Sequence, residues 1–537
     1  MTVRAQMAAE ETHGGDASGP SPSITPIDRM PDELIIDTFK YVHADIFDGP
    51  PETCFHEWIQ LLHVCRRWRS IIHSVSDLWH IINITPKSTP GELAYSLSLC
   101  GDQPLDVRFL YLDPKLVSDP SRLLSPKLST IQCLTLRIFH LDYDNPPFGD
   151  ILSFDMPALQ ELRIVPRYIV SNHTPDHQVL ALRQYPLLQC LELGGITCPP
   201  DIANLRILHL RRCSLPFSFD GFVRVLGCCA QLEDLQLDST LSSLAATLPQ
   251  TAPSTLPSAK LDRLRFLFID DRSARAISDT VSHIDAPGIT TLRILCYTRH
   301  RPEAEHLLRT LFPDDSSPNI SSSFTASPVK VRLYLKGNFT DACIIETSES
   351  STSPAISTSL YLYVGFDFER ECTITTALQD TAPLLANMRV SEFSLAAGMP
   401  IDVPPAVWEE IFSSMPFLER LNLRGYGGMT EMCQGLHHAS VERRCCPRLM
   451  SIQVQNTSQS EFEHISRGAE VEDPVIWMDS MRDTMRERAQ AGMKLRELVV
   501  GVFRSYAGEE SHFPRYDTHL AQLRPFVERV EYEDICV

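Results

Sequence analysis

A six-residue pattern recurs along the chain: apolar, two variable, apolar, one variable, apolar. It reads Ile131-Leu134-Leu136, Leu159-Leu162-Ile164, Leu188-Leu191-Leu193, Leu205-Leu208-Leu210, Leu232-Leu235-Leu237, Leu264-Leu267-Ile269 and Ile289-Leu292-Ile294. After a gap it returns as Val390-Phe393-Leu395, Leu418-Leu421-Leu423, Leu449-Ile452-Val454, Leu495-Leu498-Val500 and Val527-Val530-Tyr532. Successive starts lie 28, 29, 17, 27, 32 and 25 residues apart before the gap, and 28, 31, 46 and 32 after it. Trp79-Ile82-Ile84 and Leu105-Val107-Phe109 fit loosely. The last two apolar positions are two residues apart, so in an extended chain both point to one face. The pattern predicts one strand per recurrence, each with a single apolar face.

Such a strand cannot bury its face alone. Stacking the strands in parallel, with a helix or turn between neighbours, buries a continuous core. Helices are predicted between strands over 220–229, 404–414 and 474–490, and the last accounts for the 46-residue interval. Most intervals lie in or just above the 20–29 residues of leucine-rich repeats. The expected fold class is α/β, with a leucine-rich-repeat solenoid of parallel strands and helices over residues 81–537. An ordinary α/β domain with parallel strands is the competing arrangement. The gap holds two alternating strands, Val329-Val331-Leu333-Leu335 and Leu360-Leu362-Val364. Polar Ser/Pro-rich runs at 242–258, 314–327 and 346–358 are expected to be mobile insertions, because they cannot bury enough apolar surface to order themselves.

Residues 24–80 stand apart, after a polar stretch over 1–23 read as a disordered tail. Pro31 opens a predicted helix whose first turn carries Asp32 and Glu33, where the helix dipole favours anions. Leu34, Ile35, Phe39 and Val42 form its apolar stripe, and a long loop is expected from His43 to Phe55. A second helix carries Trp58, Leu61 and Leu62, and a third carries Cys65, Trp68, Ile71 and Ile72. About 50 residues of short helices are marginal alone, so a partner or the adjacent array should cover their apolar faces.

Charge and composition narrow the chemistry. Among 537 residues, 48 Lys and Arg face 68 Asp and Glu, a net charge of −20. That argues against a general nucleic-acid or anionic-membrane binder, which needs clustered cations. No stretch reaches the ~18 apolar residues that span a bilayer. The N-terminal stretch has no apolar core, so it does not read as a signal peptide. The 16 Cys are then expected as thiols in a reducing compartment, cytoplasmic and/or nuclear. No nucleophile–base constellation or phosphate-cradling loop is visible, and His56-Glu57 lacks the second His of a zinc protease motif. Cys433, His437, His438, Cys445 and Cys446 form the one metal-like grouping, but their spacing does not close a tetrahedron. No metal, cofactor or enzymatic activity is expected.

The N-terminal residues resemble a known module. Met30-Pro31, Asp32-Glu33, Leu34, Phe39, then Val64-Cys65-Arg66-Arg67-Trp68 and a closing Leu78-Trp79 occur in the order of an F-box. Met30 and Thr38 stand where that pattern usually has Leu and Ile. The whole chain is similar to the F-box proteins with C-terminal leucine-rich repeats that are abundant in fungi. The resemblance implies a substrate-recognition adaptor of an SCF-type cullin-RING ubiquitin ligase. The F-box would bind the linker subunit, and through it a cullin, and the repeats would bind a protein substrate. It further implies that Met30, Pro31, Leu34, Ile35, Phe39, Val64, Cys65 and Trp68 form the linker-facing surface or its support. The alternative is a leucine-rich-repeat scaffold that takes no part in ubiquitination.

In each unit the fourth and sixth positions point inward, so the third, fifth and seventh face out. Reading those positions places Phe266, Phe268, Arg211 and Arg293 at the centre of an expected protein-binding patch, with His209, Arg420 and Arg424 on the same face. Exposed aromatics beside Arg are what protein interfaces favour as anchors, whereas a phosphate track would be uniformly basic.

Overall fold

The structure, a computed structural model, describes residues 26–48, 54–112, 122–140, 149–152, 154–168, 185–198, 202–245, 258–289, 291–298, 328–335, 341–348, 359–366, 374–386, 389–400, 403–426, 428–456, 474–504 and 513–536. Its first strands are β1 (Ile81–Ile84), β2 (Leu105–Leu112), β3 (Ile131–His140), β4 (Glu161–Tyr168), β5 (Cys190–Gly194), β6 (Ile207–Arg211) and β7 (Asp234–Asp238). Then follow β8 (Ala259–Lys260), β9 (Phe266–Asp271), β10 (Ile284–Asp285), β11 (Thr291–Thr298), β12 (Pro328–Leu335), β13 (Asp341–Ser348) and β14 (Ser359–Phe366). The last are β15 (Arg389–Pro400), β16 (Arg420–Tyr426), β17 (Ser451–Asn456), β18 (Leu495–Arg504) and β19 (Val527–Cys536).

The chain is a mixed α/β protein with long runs of parallel strands. From β1 to β7 each strand pairs in parallel with the next, then β7 with β9 and β9 with β11. The series continues in parallel to β14, crosses β13 and β12 antiparallel, and resumes in parallel through β15 to β19. The short β8 and β10 pair separately.

Register shows why one apolar pattern gives one sheet. Ile82, Val107, Leu134, Leu162, Leu191, Leu208, Leu235 and Leu267 are cross-strand partners in succession. Ile84, Phe109, Leu136, Ile164, Leu193, Leu210, Leu237 and Ile269 form a second ladder beside it. From β3 onward both ladders are at most 1% exposed. A one-residue slip would turn every one of these side chains to solvent, so burial fixes the register. The loose matches at 79–84 and 105–109 are members of the ladders.

Polar side chains follow the ladders at the strand ends. The Cys213 thiol donates to the Leu193 carbonyl at 3.2 Å, and the Thr240 hydroxyl donates to the Leu210 carbonyl at 3.2 Å. Gly195, Arg212 and Ser239 each stand one residue past a strand with φ of 65°, 50° and 50°. Their N–H groups donate to the carbonyls of Arg211, Asp238 and Asp270 on the next strand. The left-handed turn is therefore part of the repeat, occupied once by glycine and twice by residues that adopt it at a cost.

Helices lie between strands where the spacing of apolar residues predicts them, at Phe219–Gly227, Pro405–Ser413 and Pro474–Gln490. Ser218 caps the first by accepting from the Gly221 N–H. The helix Met429–His437 packs against Pro405–Ser413 at Gly435, where an added Cβ would lie 2.4 Å from Trp408 Cβ. Inside this layer Arg488 is fully buried. Its Nη2 donates to the Cys446 carbonyl at 3.3 Å, while Nε and Nη1 have no partner among the described residues. Burial pulls its pKa down to about 10, still charged at neutral pH. An unpaired buried cation costs several kcal/mol, so Arg488→Met is expected to raise stability by about 1–3 kcal/mol, checked by the urea midpoint.

The structure departs from the sequence expectation in four places. The helix that starts at Asp32 runs to Asp48, so His43–Asp48 is not loop. Phe39, His43 and Phe47 are four residues apart and all buried, which continues the apolar stripe. The gap holds a third strand, β13, running antiparallel. Its residues Glu346–Ser348 pair with β12, so these three are strand rather than part of the insertion expected at 346–358. Ser242–Ala245 is a short helix with Leu244 buried, because the Asp271 carboxylate holds the Ser242 N–H at 3.0 Å. Residues 1–23, 246–257, 314–327 and 349–358 lie outside the described residues.

Candidate functional site

Two surfaces collect the residues singled out in the sequence. The first lies on the N-terminal helices α1 (Asp32–Asp48), α2 (Cys54–Leu61) and α3 (Arg66–Ser74). Their inner faces meet around Phe39, whose ring lies edge-on to Trp68 at 5.0 Å and to Trp58 at 6.5 Å. Trp58 in turn meets Trp79 at 6.3 Å, and Trp79 Nε1 donates to the Ile72 carbonyl at 2.9 Å. Through Trp79, Ile82 and Ile84 this helical core is continuous with that of the sheet. Arg108 on β2 ties the two by donating to the Phe47 carbonyl at 3.2 Å. His43 is enclosed at this junction, and its pKa falls to about 4 through burial, with His80 and Arg108 adding repulsion.

The outer faces remain apolar. Among the described residues six large hydrophobic side chains are exposed, and four of them, Ile27, Leu34, Tyr41 and Val64, belong to this module. Leu34 and Tyr41 are seven residues apart on α1 and share one face. Arg67 gathers the rest: Nε and Nη2 reach Asp32 at 3.0 and 2.5 Å, Nη2 the Met30 carbonyl at 2.5 Å, and Nη1 the Ile27 carbonyl at 3.4 Å. The start of α3 is thereby held to the start of α1, which brings Val64 to the same end as Ile27, Pro31 and Leu34.

Of the eight residues expected at a partner surface, Pro31, Leu34 and Val64 are exposed, while Met30, Cys65 and Trp68 are half-buried. Ile35 and Phe39, at 3% and 2% exposure, are core residues, in the place of support for that surface rather than on it. They face inward because α1 must close over Trp58 and Trp68. Cys65 is the N-cap of α3, its sulfur accepting from the Trp68 N–H at 3.4 Å. Tyr41, 80% exposed, was missed, although its i+7 relation to Leu34 was visible.

The second surface is the outward face of β6 to β11. Register sets His209, Gln236, Phe268 and Arg293 in one row. Ile207, Asp234 and Phe266 flank it on one side, and Arg211, Asp238 and Asp270 on the other. His209 Nε2 lies 3.2 Å from Asp234 Oδ1, and Arg211 Nε 2.9 Å from Asp238 Oδ2. The Arg293 guanidinium sits 5.3 Å from the Phe268 ring centre, a cation–π distance. Phe266 and Phe268 are half-buried. Arg420 and Arg424 stand on β16, five strands beyond β11, about 24 Å at ordinary strand spacing. Arg420 lies 2.7 Å from Glu392 Oε2, and both arginines stand apart from the Phe266–Phe268 patch.

Asp270 is the outlier on this face. Burial, with the Asp238 and Asp271 carboxylates beside it, pushes its pKa up to about 7. An unfolded Asp titrates near ~3.9, so between about pH 4 and 7 the folded chain holds a proton that the unfolded chain has released. Stability from this group is full below pH 4 and is lost as pH rises through 7. Asp270→Asn is expected to raise stability at pH 8 by about 1–2 kcal/mol, discounted for solvent screening, and to leave it unchanged at pH 4. Urea midpoints at the two pH values check this.

The Cys433–Cys446 grouping is dispersed. Cys433 is buried, the Cys446 thiol donates to the Phe412 carbonyl at 3.1 Å, and His437 and His438 face different glutamates, Glu487 and Glu409. Among the described residues no group of three or more His, Cys, Asp or Glu could hold a metal ion, and no helix is long and apolar enough to cross a membrane. No protein-family model and no curated protein matches the chain.

Proposed function

We propose that the chain is a non-enzymatic substrate receptor of an SCF-type cullin-RING ubiquitin ligase, acting in the cytoplasm and/or nucleus. In this reading residues 24–80 are an F-box that packs on the linker subunit, and the parallel array over residues 81–537 is a leucine-rich-repeat solenoid that captures a protein substrate. The observation that carries it is the concentration of exposed Ile27, Leu34, Tyr41 and Val64 on one small helical module. Isolated exposed apolar side chains need no explanation, but a grouped set is what a protein partner covers.

Two further features support the reading. Cys213 and Thr240 stand three residues past the last leucine of their units, where leucine-rich repeats carry Asn or Cys, and both bond back to the preceding strand. The helical module shares its core with the first strands, so a partner on the module is held in fixed relation to the sheet face. Ubiquitin transfer itself would then belong to other subunits. The test is co-expression of the full chain with the linker subunit, followed by size-exclusion chromatography. A stoichiometric co-eluting complex is expected. Folded chain that elutes alone, with the linker present in excess, would overturn the proposal.

A further inference from the structure

Asp270 is the unsatisfied group of the outward face. Its carboxylate receives no hydrogen bond among the described residues. On β7 its register partner is Asp238, already 2.9 Å from Arg211. Asp271 follows it in the chain, with the carboxylate turned to the Ser242 and Ser273 N–H groups. On β11 the register partner is Leu295, which brings no charge. Arg211 and Arg212 are the cations that act on Asp270, and they do not hold its pKa down. One pleat away along the strand are Phe268 and Phe266, half-buried, with Arg293 stacked on Phe268. His209 faces Asp234 at the other end of the face.

We propose that this face takes an extended basic segment of a partner protein, with a lysine or arginine entering beside Asp238 and Asp270 and a neighbouring apolar side chain lying on Phe266 and Phe268. The partner's role as substrate rests on the receptor reading above. Its chemistry does not. A cation beside Asp270 relieves the repulsion from Asp238 and supplies the missing donor, whereas an acidic segment would bring a third carboxylate to the same spot. An apolar neighbour on two half-exposed rings removes further apolar surface from water. The basic segment binds the ionised form of Asp270, so binding releases a proton below neutral pH. With the free carboxyl at about 7, affinity is about tenfold higher at pH 8 than at pH 6.

The test is fluorescence anisotropy with the full chain and a labelled nine-residue peptide alternating lysine with leucine, against a glutamate–leucine peptide of equal length. The lysine peptide is expected to bind at least tenfold more tightly, with the tenfold pH ratio. Asp270→Asn is expected to abolish that ratio and weaken binding at pH 8. Phe266→Ala with Phe268→Ala is expected to weaken binding at both pH values. Glu528→Gln on β19 makes the same charge change elsewhere and is expected to leave binding unchanged, which separates the site from general attraction to an acidic protein. Equal binding of the two peptides, a pH ratio that survives Asp270→Asn, or an equal effect of Glu528→Gln would overturn the proposal. Linker capture is measured on the same variants. Lost peptide selectivity with capture intact sinks this inference alone, and lost capture with selectivity intact sinks the receptor reading alone.

Discussion

On the proposed receptor function, Leu34→Asp combined with Tyr41→Ala is expected to weaken capture of the linker subunit by about a thousandfold or more while leaving chain stability within about 0.5 kcal/mol. Interface anchors of this size cost about 2 kcal/mol or more each when truncated, and two of them sum to about three decades in affinity. Leu34 is 52% and Tyr41 80% exposed in the free chain, so neither substitution opens a cavity. The carboxylate of Leu34→Asp would also have to be desolvated beneath the partner. Isothermal titration with purified linker subunit measures the first effect, and a urea melt the second. Undiminished binding by a folded double variant would remove this face from the linker contact. Ile35→Ala makes the complementary case. At 3% exposure it should unfold the module rather than weaken binding selectively.

A second large contrast is expected between two adjacent leucines. Leu188→Ala should destabilise the chain by about 2–5 kcal/mol, whereas Leu187→Ala should stay within about 0.5 kcal/mol. Leu188 is 6% exposed and Leu187 52%. Leu188 is the first apolar position of its unit, and its N–H donates to the Tyr185 carbonyl at 3.1 Å in the turn that starts β5. Losing its side chain leaves a void in the close-packed core at the entry to β5, and a stacked strand has few ways to collapse into it. Urea unfolding of the two variants side by side is the measurement. Equal effects would mean that the unit is framed one residue differently from the register described above.

Coupling between the two faces follows from the same packing. Trp79 closes the helical module and leads directly into β1, and Ile82 and Ile84 are ladder members. His80 alone stands between Trp79 and the first residue of β1. Arg108 fixes the seam from the sheet side through the Phe47 carbonyl, while its own Nη2 is held by Asp106 at 2.6 Å.

The amino-acid sequence by itself determined the strands and their parallel stacking. An apolar pair two residues apart, repeated twelve times, has one economical way to leave water, and the observed register aligns those pairs. It determined the three N-terminal helices, because Pro31, the acidic first turn and the Trp-rich stripe act locally. Tertiary structure decided the rest. Ile35 and Phe39 lie on the same helical stripe as Leu34, and only the arrival of α2 and α3 makes the first two core and the last surface. Arg420 and Arg293 occupy the same kind of position in their units, and only the number of strands between them shows that they are far apart. β13 has no alternating pattern, and its place follows from the edges that β12 and β14 offer it. Asp270 reads as one more outward carboxylate. Its titration near neutrality arises from burial and from Asp238 on the neighbouring strand, and a cross-strand neighbour is not encoded in local sequence.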